Sequence, residues 1–134
     1  MKIVMASGSF DFIHKGHLHY LSEAKKHGDK LVVVIARDSN ILKFKGEKPK
    51  YSEKERLENV KNLEMVDEAV LGHEGNIFDI IGEIKPDVIC LGYDQKTKIE
   101  KLKEELKKRN IKAEVVRISA YKPEVYKSSK LKKN

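Results

Sequence analysis

The chain reads KIVMASGSFDFIHKGH from residue 2 to residue 17. Residues 2–6 are a short apolar run that predicts a β-strand, and Gly8 ends it. Apolar side chains then recur at helical spacing from about His17 to Gly28. A strand that enters a helix through such a loop is typical of a doubly wound α/β sheet, in which ligands bind beyond the carboxyl ends of the strands. We therefore expect this loop to lie at the ligand site.

Four more segments have the composition of strands. The run from Leu31 to Ala36 is uninterrupted and rich in β-branched side chains, as in a strand that is covered on both faces. The other three are predicted at residues 69–72, 87–91 and 114–118. This alternation predicts a doubly wound, Rossmann-like α/β fold: a five-stranded parallel sheet with helices on both faces and right-handed crossovers. Since no linker or repeat interrupts the pattern, residues 1–134 are predicted to form a single domain.

The segments between the strands predict helices, with one exception. Ser52 and Glu55 form a capping box that begins a helix. Helical spacing also marks residues 76–84 and 99–109. Residues 37–50 are polar and rich in lysine with no apolar period, so we predict a loop there.

The composition narrows the choice of partners. The 134 residues carry a formal charge of +7, from 28 basic and 21 acidic side chains, which favours anionic partners. No apolar run is long enough to span a bilayer and no secretory signal begins the chain, so we predict a cytosolic protein without a membrane partner. Aromatic residues are few and no RNA-binding motif is present, so no nucleic-acid partner is predicted. The single Cys90 excludes an internal disulfide, and its apolar neighbours predict a buried, inert thiol.

Two histidines in the first loop suggest a site for phosphate. His14 and His17 stand three residues apart at the predicted start of a helix, which puts both rings near one face of one turn. The free N–H groups and the dipole of that turn attract anions, and Gly16 leaves room for a ligand to approach the backbone. Donors placed in this way can stabilise the charge that develops during phosphoryl-type transfer. The segment matches neither the dinucleotide glycine pattern nor a P-loop.

Two other interpretations of the pair are weighed. A zinc site needs a third and a fourth ligand, and the remaining candidates have no matching short spacing: His19, His27, His73 and Cys90. We therefore predict no metal site built from these side chains, and we assign no role to the other three histidines. Alternatively, His14 and His17 only cap and decorate a helix.

The segments Gly8-Ser9-Phe10-Asp11 and His14-Lys15-Gly16-His17 together resemble the nucleotide-binding motif of the cytidylyltransferase-like superfamily of nucleotidyltransferases. Ser9 stands where that family usually has Thr, which keeps the hydroxyl. Three further blocks are similar to those of the family: residues 43–56, with Glu53 and Arg56, residues 66–70 and residues 91–95. The chain is most similar to the archaeal FAD synthases, with the glycerol-3-phosphate cytidylyltransferases as close relatives.

The resemblance implies a set of nucleotide-binding residues. Ser9 and Phe10 would offer a hydroxyl and a backbone N–H to the triphosphate. Asp94 would contact the nucleoside. Ser128 and Ser129 would grip the terminal phosphates.

It also implies the residues that act on the reacting phosphates. His14 and His17 would bind the nucleotide at its α-phosphate and at the departing pyrophosphate. Lys43 and Lys45, on a loop that closes, would share the catalytic role by neutralising phosphate charge. Two carboxylates would lie on the acceptor or metal side: Asp11 and Asp38.

The activity implied by the resemblance is transfer of AMP from ATP to FMN, which yields FAD and pyrophosphate. A divalent metal, expected to be Mg²⁺, would bind with the triphosphate, and a homodimer is expected for so small a chain. One alternative is transfer of CMP from CTP to glycerol 3-phosphate or a related polyol or sugar phosphate. Another is a nucleotide-binding protein without catalytic activity. The lysines of residues 43–50 could also simply be a solvated loop.

Overall fold

The computed structural model describes residues 1–92 and 99–119. Its five strands are β1 (Ile3–Gly8), β2 (Lys30–Ile35), β3 (Glu68–Leu71), β4 (Val88–Leu91) and β5 (Glu114–Arg117). Its five helices are α1 (Lys15–Lys25), α2 (Asp38–Lys45), α3 (Glu53–Lys61), α4 (Asp79–Ile84) and α5 (Ile99–Lys108). In the described ranges no helix is long and apolar enough to cross a membrane, and the longest, α1, has 11 residues.

The strands form one parallel sheet in the order β3-β2-β1-β4-β5. The chain winds outward from β1 through β2 to β3, and then returns to place β4 and β5 on the other side of β1. This confirms the predicted five-stranded, doubly wound α/β sheet. The reversal puts the topological switch point between β1 and β4, directly above which a doubly wound sheet binds its ligand.

Alternate side chains of the strands enter two hydrophobic cores, one on each face of the sheet. On β1, Val4 and Ala6 pack with α1 and α3, whereas Met5 packs on the opposite face with α4 and α5. Helices therefore cover both faces, as predicted. Cys90 lies fully buried in the first core, and burial raises the pKa of its thiol to about 11, so the thiol stays protonated and inert.

The prediction of a loop over residues 37–50 is wrong, because α2 occupies much of that segment. Its inward face consists of Asn40 and Ile41 alone, so its eight residues show no apolar period. Gly46 ends the helix in the left-handed conformation, with φ 78°, and its N–H donates to the carbonyl of Leu42 at 2.9 Å. The helix predicted over residues 76–84 exists, but it begins only at Asp79.

Three aspartates fix the amino-terminal edge of the sheet. Each one precedes a strand and accepts a hydrogen bond, at 2.7–2.8 Å, from the backbone N–H that begins a neighbouring strand. The pairs are Asp29 with Lys2, Asp67 with Leu31 and Asp87 with Ile3. These bonds set the register at one edge and leave the carboxyl edge to form the site.

Candidate active site

A cavity of about 1040 Å³ opens at the carboxyl edge of the sheet, over the switch point. The loop after β1 and the start of α1 form one side of it. Helix α2 and the segment between β3 and α4 form the other side, and the ends of β4 and β5 close it. A volume of this size is at the upper end for small-molecule sites and can hold a nucleotide together with an acceptor.

Tyr20, on α1, holds the switch point open. β1 and β4 pair only up to Ala6 and Cys90. The Tyr20 hydroxyl then donates to the Cys90 carbonyl at 2.6 Å and accepts from the Ser7 N–H at 3.2 Å. The side-chain hydroxyl thus forms hydrogen bonds with backbone groups that would otherwise be unpaired where the two strands separate. These two backbone groups at the floor of the crevice are thereby paired.

His14 and His17 form a reciprocal capping box at the start of α1. The Gly16 N–H donates to His14 Nδ1 at 3.0 Å, and the His14 N–H donates to His17 Nδ1 at 3.3 Å. The rings stack with their centroids 4.0 Å apart and their planes at 23°. Because each Nδ1 accepts a hydrogen bond, the neutral ring carries its proton on Nε2, a tautomer that follows from the geometry.

The two interpretations of the histidine pair are therefore compatible. The Nδ1 atoms cap the helix, the Nε2–H groups are donors by chemistry, and both residues line the cavity. At a helix N-terminus these donors join the partial positive charge of the dipole. The arrangement suits the oxygens of a phosphate chain.

Two glycines make room for rings of this loop. A Cβ on Gly16 would lie 2.8 Å from the His14 ring, so the space predicted for a ligand is filled by that imidazole. A Cβ on Gly8 would lie 2.9 Å from the ring of Phe10. Phe10 is buried, has φ 51°, and packs against His17 with ring centroids 5.1 Å apart. The left-handed backbone at a bulky residue stores strain in the loop that carries the histidines.

The fully buried Arg56, on α3, holds this loop against α2. Its guanidinium donates to the carbonyl of Ser9 at 2.7 Å, to Asp38 Oδ1 at 2.6 Å and to the carbonyl of Tyr51 at 3.1 Å. Arg56 stands within residues 43–56, one of the blocks that are similar to those of the family, and the sequence alone assigns it no role. Its burial could have been predicted from the helical spacing, because Arg56 stands four residues before Val60 and therefore on the buried face of the same helix.

Asp11 and Asp38 are predicted on the acceptor or metal side. In the structure both carboxylates accept hydrogen bonds from other residues of the chain. The two oxygens of Asp11 accept the N–H groups of Lys50 and Tyr51, at 2.7 and 2.8 Å. Desolvation alone would raise the pKa of Asp11, but these bonds and nearby cations hold it below its ordinary value. Asp38 accepts from the Arg56 guanidinium and from the Glu53 N–H. Within residues 1–92 and 99–119, no three His, Cys, Asp or Glu side chains are grouped to hold a metal ion.

The predicted lysines lie on α2 instead of a loop. Lys45 lines the cavity, whereas Lys43 does not, and its Nζ lies 5.9 Å from the centroid of the exposed Phe44 ring. Ser9 and Phe10 line the cavity beside the histidines. The remaining predicted residues lie outside the described ranges: Asp94, Ser128 and Ser129.

Two histidines without a predicted role also line the cavity. His19 Nε2 lies 3.1 Å from the carbonyl of Ser119, and His73 Nε2 lies 2.5 Å from Glu83 Oε2. His73 follows the strand predicted at residues 69–72, so its place at the carboxyl edge could have been inferred.

Helix α2 and the segment that leads into α4 supply apolar side chains to the cavity. Ile41 is buried there, while the Phe44 ring is 69% exposed and Ile77 is 39% exposed. Phe78 lines the cavity as well. The cavity therefore offers donors for phosphate at the loop after β1 and apolar side chains on the side of α2 that suit a flat ring.

Comparison with known proteins identifies the family. Residues 5–134 match the model of the family described as cytidylyltransferase-like. The FAD synthase of Ferroglobus placidus is 58% identical over 120 residues, which cover 90% of this chain and 78% of that protein. The FAD synthase of Thermoplasma volcanium is 47% identical over 130 residues, 97% of this chain and 91% of that protein. A crystal structure described as the lipopolysaccharide core biosynthesis protein from Thermoplasma volcanium GSS1 has a TM-score of 0.86 and 48% identity, over 91% of this chain and 99% of that one. The sheet order, the histidine pair and these similarities agree: the chain belongs to the cytidylyltransferase-like family.

Proposed function

We propose that the protein is an FAD synthase, which transfers AMP from ATP to the phosphate of FMN and releases pyrophosphate. The observation that carries this proposal is the stacked pair of His14 and His17, which caps the start of α1 and lines the cavity over the switch point. The choice of FMN as acceptor is supported by the relatives named FAD synthase.

In this reaction an oxygen of the FMN phosphate attacks the α-phosphorus of ATP. The bond from that phosphorus to the oxygen bridging to the β-phosphate breaks, and pyrophosphate leaves with the electron pair. The attacking phosphate is largely dianionic at neutral pH, so it needs no general base. The chain then has to align the phosphates and stabilise their charge, which the Nε2–H groups of His14 and His17 and the cation of Lys45 would do.

The metal enters this proposal as part of the substrate, MgATP. The described carboxylates do not fit a metal held by the protein, because Asp11 and Asp38 are engaged by backbone N–H groups and by Arg56. Mg²⁺ commonly keeps several waters and binds through substrate phosphates. The homodimer, the cytosolic location and the single domain also belong to this proposal.

A second candidate is transfer of CMP from CTP to a polyol or sugar phosphate. It is favoured by one relative at 48% identity, which is described as a lipopolysaccharide core biosynthesis protein. The side chains of Ile41, Phe44 and Phe78 along the cavity support the flat ring of FMN over a polyol, because a polyol has no apolar face to pack against them.

The test is pyrophosphate release from ATP or CTP, with Mg²⁺, in the presence of FMN or glycerol 3-phosphate. We expect release with ATP and FMN, a product with the mass of FAD, and a loss of about 100- to 1000-fold in kcat for His14→Ala. His27→Ala is the matched control, since His27 follows the end of α1 and does not line the cavity. Release only with CTP and glycerol 3-phosphate would establish the second candidate. Tight ATP binding without release from any pair would indicate a non-catalytic nucleotide-binding protein.

A further inference from the structure

Asn40 is a buried amide with only part of its hydrogen-bonding capacity used. It lies in the first turn of α2, is 7% exposed and lines the cavity. Its Nδ2 donates to the carbonyl of His73 at 2.8 Å. Because a carbonyl can only accept, this bond fixes the orientation of the amide and assigns the other atom as Oδ1.

The Oδ1 atom of Asn40 accepts no hydrogen bond from the part of the chain that the structure describes. A buried acceptor without a donor is costly, so such groups are rare and call for an explanation. For an acceptor that lines a ligand cavity the explanation is direct, because a bound ligand can supply the missing donor. The donor expected here is an N–H or O–H group of the molecule that occupies this end of the cavity.

The surroundings of Asn40 indicate which part of a ligand reaches it. The next residue, Ile41, and Phe44, one turn after Asn40, line the cavity from the same helix, and Phe78 lines it from the segment that begins α4. Polar residues line the cavity as well: Arg37, Lys45 and His73. Aromatic and aliphatic side chains beside a buried polar atom are typical of a site for a planar heterocycle, in which the polar atom reads one ring position.

The position of Asn40 agrees with the length of FMN. His14 and His17 follow β1, Asn40 follows β2, and the carbonyl that Asn40 holds, that of His73, follows β3. Neighbouring strands lie about 5 Å apart, so the strand ends from which the histidines and the Asn40–His73 pair extend are roughly 5–10 Å apart along the edge of the sheet. The ribityl chain of FMN separates its phosphate from its ring system, and it would bridge the histidine end to the Asn40 end.

We propose that Asn40 determines acceptor specificity: its Oδ1 accepts the hydrogen bond of the imide N–H of the isoalloxazine ring. Oxidised isoalloxazine has one ring N–H, so this contact identifies a single position of the flavin. The inference rests on the proposed function, because it assumes that FMN is the acceptor. It adds a residue that reads the ring to those proposed to act on the reacting phosphates.

The experiment compares FMN with FMN methylated at the imide nitrogen, in steady-state synthesis of the dinucleotide by the wild type. Loss of one hydrogen bond to a buried acceptor lowers kcat/KM by about 10- to 100-fold, so we expect the methylated acceptor to be that much poorer. In Asn40→Ala the methyl group gains space and the bond no longer exists. The ratio of the two kcat/KM values should then approach about 1, with the KM for ATP unchanged.

Ser39→Ala is the matched control. Ser39 lies in the same turn and its Oγ donates to Glu74 Oε2 at 3.0 Å, so the variant also removes a tether between α2 and the segment after β3, outside the cavity. It should retain the full preference for FMN. Wild type that forms FAD but uses both acceptors equally would overturn this inference alone, as would an unchanged preference in Asn40→Ala. Wild type that forms no FAD would overturn the proposed function and this inference with it.

Discussion

The guanidinium of Arg56 offers a test of how the histidine loop is held in place. Replacement of Arg56 by Met keeps much of the volume but removes donors to the carbonyls of Ser9 and Tyr51 and to Asp38. Removing one member of a buried ion pair costs about 3–5 kcal/mol. The Asp38 side chain is 40% exposed and can recover water, which places the expected loss of unfolding free energy near the lower end, at about 3 kcal/mol.

Urea unfolding followed by circular dichroism measures this loss. For a chain of this length, about 3 kcal/mol corresponds to a fall in Tm of roughly 10 °C. Arg109→Met is the control, because Arg109 pairs near the surface with Asp79 at 2.7 Å. The Glu105 carboxylate, which Arg109 also contacts at 3.4 Å, keeps Lys101 and Lys108 as partners, so the variant should lose less than about 1 kcal/mol. If Arg56→Met lost no more stability than the control, the guanidinium would not be what holds the loop, and the reasoning from its burial would be refuted.

Two further variants test features at opposite edges of the sheet. Gly16→Ala should lower kcat by about 10- to 100-fold with only a small change in Tm, because its Cβ displaces the His14 ring and weakens the helix cap while alanine favours the helix; an unchanged kcat would contradict this. The Lys25 side chain and the Leu31 N–H lower the pKa of Asp67 from its ordinary 3.8, so the stability it contributes is full above that value and is lost as pH falls through the lower folded-state pKa. The difference in unfolding free energy between wild type and Asp67→Asn should therefore shrink below about pH 4, and a constant difference down to pH 2 would exclude the explanation.

The sheet and the first loop could be predicted from local patterns because those patterns are strong. The β-branched run of β2 is buried on both faces, and the Ser52–Glu55 capping box forms as expected. The position of the histidine pair after the first strand locates the site, since the order of strands in a doubly wound sheet brings that loop to the switch point.

The missed features depend on contacts between segments that are distant in the sequence. Helix α2 is too short to show a period, and Asn40 bonds to the carbonyl of His73, 33 positions away. Arginine is usually found at the surface, and the burial of Arg56 depends on partners as distant as the carbonyl of Ser9, 47 positions away. Such partners cannot be inferred from a window of neighbouring residues.

The Tyr20 hydroxyl has a consequence for how accurately the histidines are aimed. Tyr20 lies one turn after His17 on α1, and its hydroxyl is fixed to backbone atoms of both β1 and β4. A helix tied to two strands through one side chain cannot roll about its own axis without breaking both bonds. The sheet thus fixes the orientation of the imidazoles through Tyr20. The histidines therefore lose little rotational entropy when a phosphate chain binds.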